Sequence, residues 1–229
     1  RFEPDEYGKE TITAIRDKVD DKTADDNTIT VASTDLKSIG GNSSKKPNIL
    51  FVQLEGFMDP NTIDGVLYSK DPIPNFRKLM NNEISGKMKT PSIGGGTART
   101  EFEVMTGIDL EFLTDGEVPH YTILGHETLN SVATTLKKQG YSAHAIHNNQ
   151  GNFYNRNKAY SSLGYDTYTS VEYMDNVERT ETNWAKDTIL TKYIKECLNS
   201  TEENDLVFTI SVEGHSPYPT DSDKYDCPI

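Results

Sequence analysis

From Pro47 onward the chain is a series of apolar runs separated by polar loops. Asn48-Ile49-Leu50-Phe51-Val52-Gln53-Leu54 is unbroken over a strand's length, which predicts a strand buried on both faces. Pro74 to Met80 predicts a short helix, and Ile84 to Lys89 a strand leading into a glycine loop. Thr100 to Thr106, with Phe102, Val104 and Met105, predicts a buried helix closed by Gly107. Leu129, Val132, Ala133 and Leu136 recur at helical spacing, and Gly140 supplies the stop. Tyr141 to Ile146 predicts a further strand. Beyond Trp184, the residues Ile189, Leu190, Tyr193, Ile194, Cys197 and Leu198 hold one face of the clearest amphipathic helix, and Asp205 to Val212 follows as an apolar strand. This alternation predicts an α/β fold with a mostly parallel central sheet and helices on both faces.

Residues 1–46 have a different texture. Asp, Thr, Ser and Asn dominate, and Gly40-Gly41-Asn42-Ser43-Ser44 precedes Lys45-Lys46. A short helix over Glu10 to Val19 is compatible with Ile12, Ile15 and Val19; the remainder reads as linker. The formal charge of -13 over 229 residues argues against a nucleic-acid partner, which calls for a basic face. An anionic substrate then requires a local positive centre, either a metal or a placed arginine. No run reaches the ~18 apolar residues of a bilayer span, and the first residues lack a signal-peptide pattern. Cys197 and Cys227 have no metal-ligand spacing.

The chemistry-bearing residues gather at strand ends. The first strand runs into Glu55-Gly56, the Tyr141 strand into His147, and the last into Glu213-Gly214-His215. In open parallel sheets the ligand crevice lies beyond the carboxyl ends of the strands, so a carboxylate there is placed to hold a metal, although turn and cap roles suit it too. Gly94-Gly95-Gly96-Thr97 precedes the Thr100 helix. A hydroxyl at a helix start lies near backbone N–H groups and the positive end of the macrodipole, which suits an oxyanion; taken alone, Thr97 serves equally well as an N-cap. The loop from His147 to Arg156 carries Tyr154 beside the arginine, a guanidinium able to fork onto phosphate and a ring able to wall a polyol, though by itself it reads as a surface loop.

Taken in order, Asn48 to Glu55, Gly94 to Phe102, His147 to Arg156, Leu163-Gly164-Tyr165-Asp166 and Glu213 to Pro217 resemble the lipoteichoic acid synthase and phosphoglycerol transferase family of the sulfatase and alkaline phosphatase superfamily. The resemblance covers about residues 47 to 220. It implies a sulfatase-like catalytic domain over 47–229, incomplete at its C-terminal end, with 1–46 as a juxtamembrane-type linker. It further implies a membrane protein whose catalytic domain lies on the extracytoplasmic side, held by an N-terminal transmembrane region missing from this chain. The implied reaction moves glycerol phosphate from phosphatidylglycerol to a hydroxyl-bearing polymer or glycan acceptor. Thr97 matches the family's nucleophile, which is also a metal ligand, and Glu55 matches another ligand of a divalent metal, Mn2+ or Mg2+. His147, Arg156 and His215 match positions that hold the glycerophosphate group, and Tyr154 stands where lipoteichoic acid synthases have a tryptophan.

The family's remaining metal ligands are an Asp-His pair downstream of the His215 block, and no Asp-His dipeptide occurs here. His120, His126 and His144 match no motif and read as surface or packing residues. The expectation is a chain that stops before the last part of its catalytic domain, with a half-built metal site. A phosphodiesterase or other hydrolase of the same superfamily, and a catalytically silent glycerophosphate-binding domain, are the alternatives. Sulfate-ester hydrolysis fits less well, because Thr97 cannot become formylglycine.

Overall fold

A computed structural model describes residues 46–92 and 95–218. The linker and helix expected before residue 46 lie outside these residues, as do Gly94 and Cys227. Four strands, β1 (Ile49–Gln53), β2 (Tyr141–His147), β3 (Thr167–Ser170) and β4 (Asn204–Ile210), form one sheet in the order β1-β4-β2-β3. Every neighbouring pair is parallel. The helices are α1 (Pro74–Asn82), α2 (Thr97–Thr106), α3 (Val132–Lys137), α4 (Arg156–Ser162) and α5 (Thr188–Leu198). Among the described residues no helix is long and apolar enough to cross a membrane.

Side chains of the two central strands alternate between two cores, as a period of two requires. Ala143 and Ala145 of β2 and Leu206, Phe208 and Ile210 of β4 face one way, into a cluster with Phe102 and Met105 of α2, Ala133 of α3, and Ala159 and Tyr160 of α4. Ile146 and Val207 face the other way, onto Leu190 and Tyr193 of α5. The sheet is therefore covered on both faces at its centre.

The strand expected to be buried on both faces is instead an edge. Ile49 and Phe51 pack on the first core, while Leu50 and Val52 are 45% and 51% exposed. Helix α5 packs chiefly across β4 and β2, so the outer side chains of β1 stay half exposed. An apolar run reports the capacity for burial, and a neighbouring layer has to supply it. The strand expected over Ile84 to Lys89 is absent as well: these residues join no sheet among the described residues, and Ile84 and Met88 are exposed. Alternation without a neighbouring strand to bond its N–H and C=O groups makes no ladder. Conversely, the polar loop after His147 ends at Asn155, and α4 starts at Arg156. Only Ala159 and Tyr160 of α4 are apolar, so it shows no helical stripe.

The parallel register lines up Gln53 with Ile210, Ile210 with His147, and His147 with Ser170. The carboxyl ends of all four strands thus form one edge of the sheet, and the candidate site stands on it.

Candidate active site

Two turns leave this edge side by side, after β1 and after β4. The Ser211 N–H donates to the Gln53 carbonyl at 3.0 Å, and the Glu55 N–H donates to Ser211 Oγ at 3.0 Å. Gly56 adopts φ +71°, and a Cβ there would lie 2.3 Å from the Gly214 carbonyl oxygen. The two turns approach so closely that only glycine fits, which places His215 next to Glu55. Asp187, at the start of α5, braces the same region: its Oδ1 accepts from Asn148 Nδ2, Val212 N–H and Glu213 N–H, and its own N–H donates to Glu213 Oε2 at 2.7 Å.

Glu55, Thr97, Thr100 and His215 line a cleft of about 610 Å³. Gly96 takes the N-cap position of α2 in the left-handed conformation, so Thr97 is the first helical residue and makes no cap bond. Its Oγ1 donates instead to Glu55 Oε1 at 2.9 Å. The hydroxyl consequently sits at the positive end of a ten-residue helix, against a carboxylate that is 7% exposed. Burial raises the Glu55 carboxyl above its ordinary range, against the opposing pull of Arg156 and of the Thr97 hydrogen bond. A nearby cation would offset that burial cost.

Two facing oxygen donors, one of them a buried carboxylate, fit part of the shell of a hard divalent cation. Among the described residues no three His, Cys, Asp or Glu side chains converge on such a shell.

Behind the cleft lies a buried charged cluster. His147, at the end of β2, donates Nδ1–H to the Ile210 carbonyl at 3.0 Å, since a carbonyl only accepts; Nε2 then holds a lone pair, is buried and has no partner among the described residues. Desolvation and the Arg156 charge push this imidazole down to about 4, so it is neutral. Arg156 is fully buried. Its Nε and Nη2 bind Glu101 Oε2 and Oε1 at 3.1 and 2.5 Å, which leaves Nη1 as a buried donor with no partner among the described residues. The fork expected to grip a phosphate is thus occupied by Glu101 of α2, and one donor is left over. Tyr154, at φ +55°, lies on the guanidinium with its centroid 5.2 Å from Cζ, and packs on Phe153 and Tyr121.

Glu101 carried no role in the sequence reading. Burial by itself would raise its carboxyl, but Arg156 and His120 hold it well below the usual range. Tyr160 Oη donates to its Oε2 at 3.0 Å, and His120 Nε2 lies 3.4 Å from the same oxygen. The available signal was a Glu on the inward face of an apolar helix, four residues after Thr97. His144 is a packing histidine held between Thr167 and Asp205, and His126 is exposed.

A parallel sheet with both faces covered, carrying a hydroxyl nucleophile candidate at a helix start beside a strand-end carboxylate, defines an α/β protein of the sulfatase and alkaline phosphatase type. The sulfatase family matches residues 47–228, and the chain belongs to that family. Within the superfamily its likeness is to lipoteichoic acid synthases and phosphoglycerol transferases. It is 34% identical over 173 residues to a Rhizobium meliloti (strain 1021) protein assigned provisionally to cyclic beta-1,2-glucan modification, and 27% identical over 183 residues to lipoteichoic acid synthase 2 of Bacillus subtilis (strain 168). These matches take in 76% and 79% of this chain but only 26% and 28% of the relatives' own length. The Streptococcus pyogenes phosphoglycerol transferase GacH, solved in complex with sn-glycerol-1-phosphate, superposes with a TM-score of 0.72 at 22% identity, over 96% of this chain and 56% of that one. At that identity the likeness is one of fold.

Proposed function

We propose that residues 47–229 form the first and larger part of a catalytic domain that transfers glycerol phosphate from phosphatidylglycerol to a hydroxyl of a polymer or glycan. Residues 1–46 then link it to a membrane anchor outside this chain, with catalysis on the extracytoplasmic side. The observation that carries the reading is the 2.9 Å contact between Thr97 Oγ1 and Glu55 Oε1 at the carboxyl edge of the sheet. The family match beginning at residue 47 and the likeness to a lipoteichoic acid synthase of Bacillus subtilis support it.

Thr97 Oγ1 attacks the phosphodiester phosphorus. The bond to diacylglycerol breaks, and that oxygen leaves with a proton, giving a phosphothreonine that bears glycerol. An acceptor hydroxyl next forms its own bond to phosphorus, the Thr97 Oγ1 bond breaks, and the hydroxyl's proton restores Thr97. Glu55 and Thr97 would hold Mn2+ or Mg2+, which favours the alkoxide over the hydroxyl. The positive end of α2 and His215, which line the cleft, would meet the charge that gathers on the transferring group, and the Arg156 charge would act from behind the cleft wall. His147 Nε2, a neutral acceptor, suits a glycerol hydroxyl.

The test uses the full-length protein with phosphatidylglycerol labelled in its headgroup. Wild type moves label onto an acceptor, whereas Thr97→Ala moves none while keeping its circular dichroism spectrum. Retained turnover in that variant removes the nucleophile assignment, and label released only as free glycerol phosphate turns the reading to a hydrolase.

A further inference from the structure

Thr97 and Glu55 stand on different elements, and their 2.9 Å contact needs helix α2 to be held at one rotation against the sheet. The buried stripe of α2 is Ala98, Glu101, Phe102 and Met105. Apart from Glu101 these side chains are apolar, and apolar contact has little direction. We propose that Glu101 is a positioning residue for the transfer: its carboxylate ties α2 to α4 and so sets the place of the Thr97 hydroxyl. This role rests on the transfer reading above.

Residues four apart on a helix share a face, so Glu101 stands one turn along α2 from Thr97, on the same side. Arg156 and Tyr160 are likewise four apart on α4, and both grip the same carboxylate. Arg156 Nε and Nη2 donate to Glu101 Oε2 and Oε1 at 3.1 and 2.5 Å, and Tyr160 Oη donates to Oε2 at 3.0 Å. All three residues are buried, so water does not compete for these bonds. Helix α4 is in turn fixed to the sheet, because the Tyr160 ring packs edge-on against Tyr168 of β3 at 4.8 Å and against Tyr165 at 5.5 Å. A chain of directed contacts therefore runs from β3 through α4 and Glu101 to the turn of α2 that bears Thr97.

The tolerance is narrow. A hydroxyl lies roughly 4 Å from its helix axis, so a rotation of roughly 15° displaces it by about 1 Å. That is enough to lose the contact with Glu55, and at a reacting oxygen a shift of about 1 Å costs about a hundredfold in rate. Stability alone does not call for such a pair, since apolar side chains of similar volume often replace a buried ion pair without loss. They do not reproduce its fixed directions.

Glu101→Asp keeps the charge that Arg156 requires and shortens the reach by a methylene, which separates positioning from neutralisation. In the full-length protein, with phosphatidylglycerol labelled in its headgroup, this variant is expected to lose about a hundredfold in kcat while KM stays within about threefold of wild type. Urea curves confirm that the samples compared are folded. Tyr160→Phe removes a single bond to Glu101 and strands no charge. It is expected to lower kcat by about three- to tenfold, again at little change in KM, and it decides the question if Glu101→Asp does not fold. A crystal structure of the variant 229-residue chain reads the geometry without turnover: Thr97 Oγ1 is expected beyond hydrogen-bonding reach of Glu55. A folded variant with wild-type kcat, or Thr97 still bonded to Glu55 in that structure, overturns this inference and leaves the transfer reading standing. Wild type that moves no label overturns the transfer reading, and a displaced Thr97 in the variant structure then upholds Glu101 as the residue that sets its place.

Discussion

Arg156 holds a full charge with no solvent contact, which is tolerable only because Glu101 meets it with two oxygens and Tyr160 and His120 crowd the same carboxylate. Removing one partner of such a pair leaves the other charged, buried and alone. Glu101→Ala is therefore expected to lower stability by about 3–5 kcal/mol, read from urea unfolding. Arg156→Ala should do the same by stranding Glu101, so loss of activity in that variant has to be read beside its unfolding curve. His147 makes a pH signature. Its imidazole titrates at about 4 in the fold and near 6.5 unfolded, so between those values the unfolded chain binds a proton that the folded chain refuses. Stability is whole above pH 6.5 and falls as pH drops toward 4, by about 3 kcal/mol from this group. Urea unfolding at pH 7.5 and pH 4 measures the fall, and His147→Gln should remove that part of it.

At the scale of elements, the site depends on two turns meeting backbone to backbone. Gly56→Ala places a methyl group 2.3 Å from the Gly214 carbonyl at a left-handed φ. The expected cost exceeds about 1–2 kcal/mol, and the shift of the β4 turn should also lower transfer by moving His215; thermal melts and turnover check the two parts. Helix α2, expected from Thr100, starts three residues earlier at Thr97, directly after the left-handed Gly96, and Gly107, also left-handed, closes it as expected. Helix α4 and strand β3 were not legible from sequence: α4 holds only Ala159 and Tyr160 as apolar residues and shows no stripe, and the four residues of β3 are too few to show a period. The helix after Trp184 was legible from its stripe and starts at Thr188; Asp187, just before it, braces the turn after β4.

At the scale of the whole molecule, burial is concentrated on β2 and β4, and the outer face of β1 is open. Phe208→Ala, at the centre of the first core, should cost about 3–5 kcal/mol. Val52→Lys should change stability by no more than about 0.5 kcal/mol in this chain, and paired urea curves decide whether β1 is an edge in solution. The pattern of apolar runs was enough to define an alternating α/β chain and to put Glu55, His147 and His215 at strand ends, because strand length and strand-end position are local properties. Tertiary structure alone decided that Thr97 and Glu55, 42 residues apart, share a hydrogen bond, that Glu101 occupies the fork of Arg156, and that β1 stands at the margin. Such pairings depend on the register and crossing of distant segments, and a period read along the chain holds no information about which distant segment will arrive.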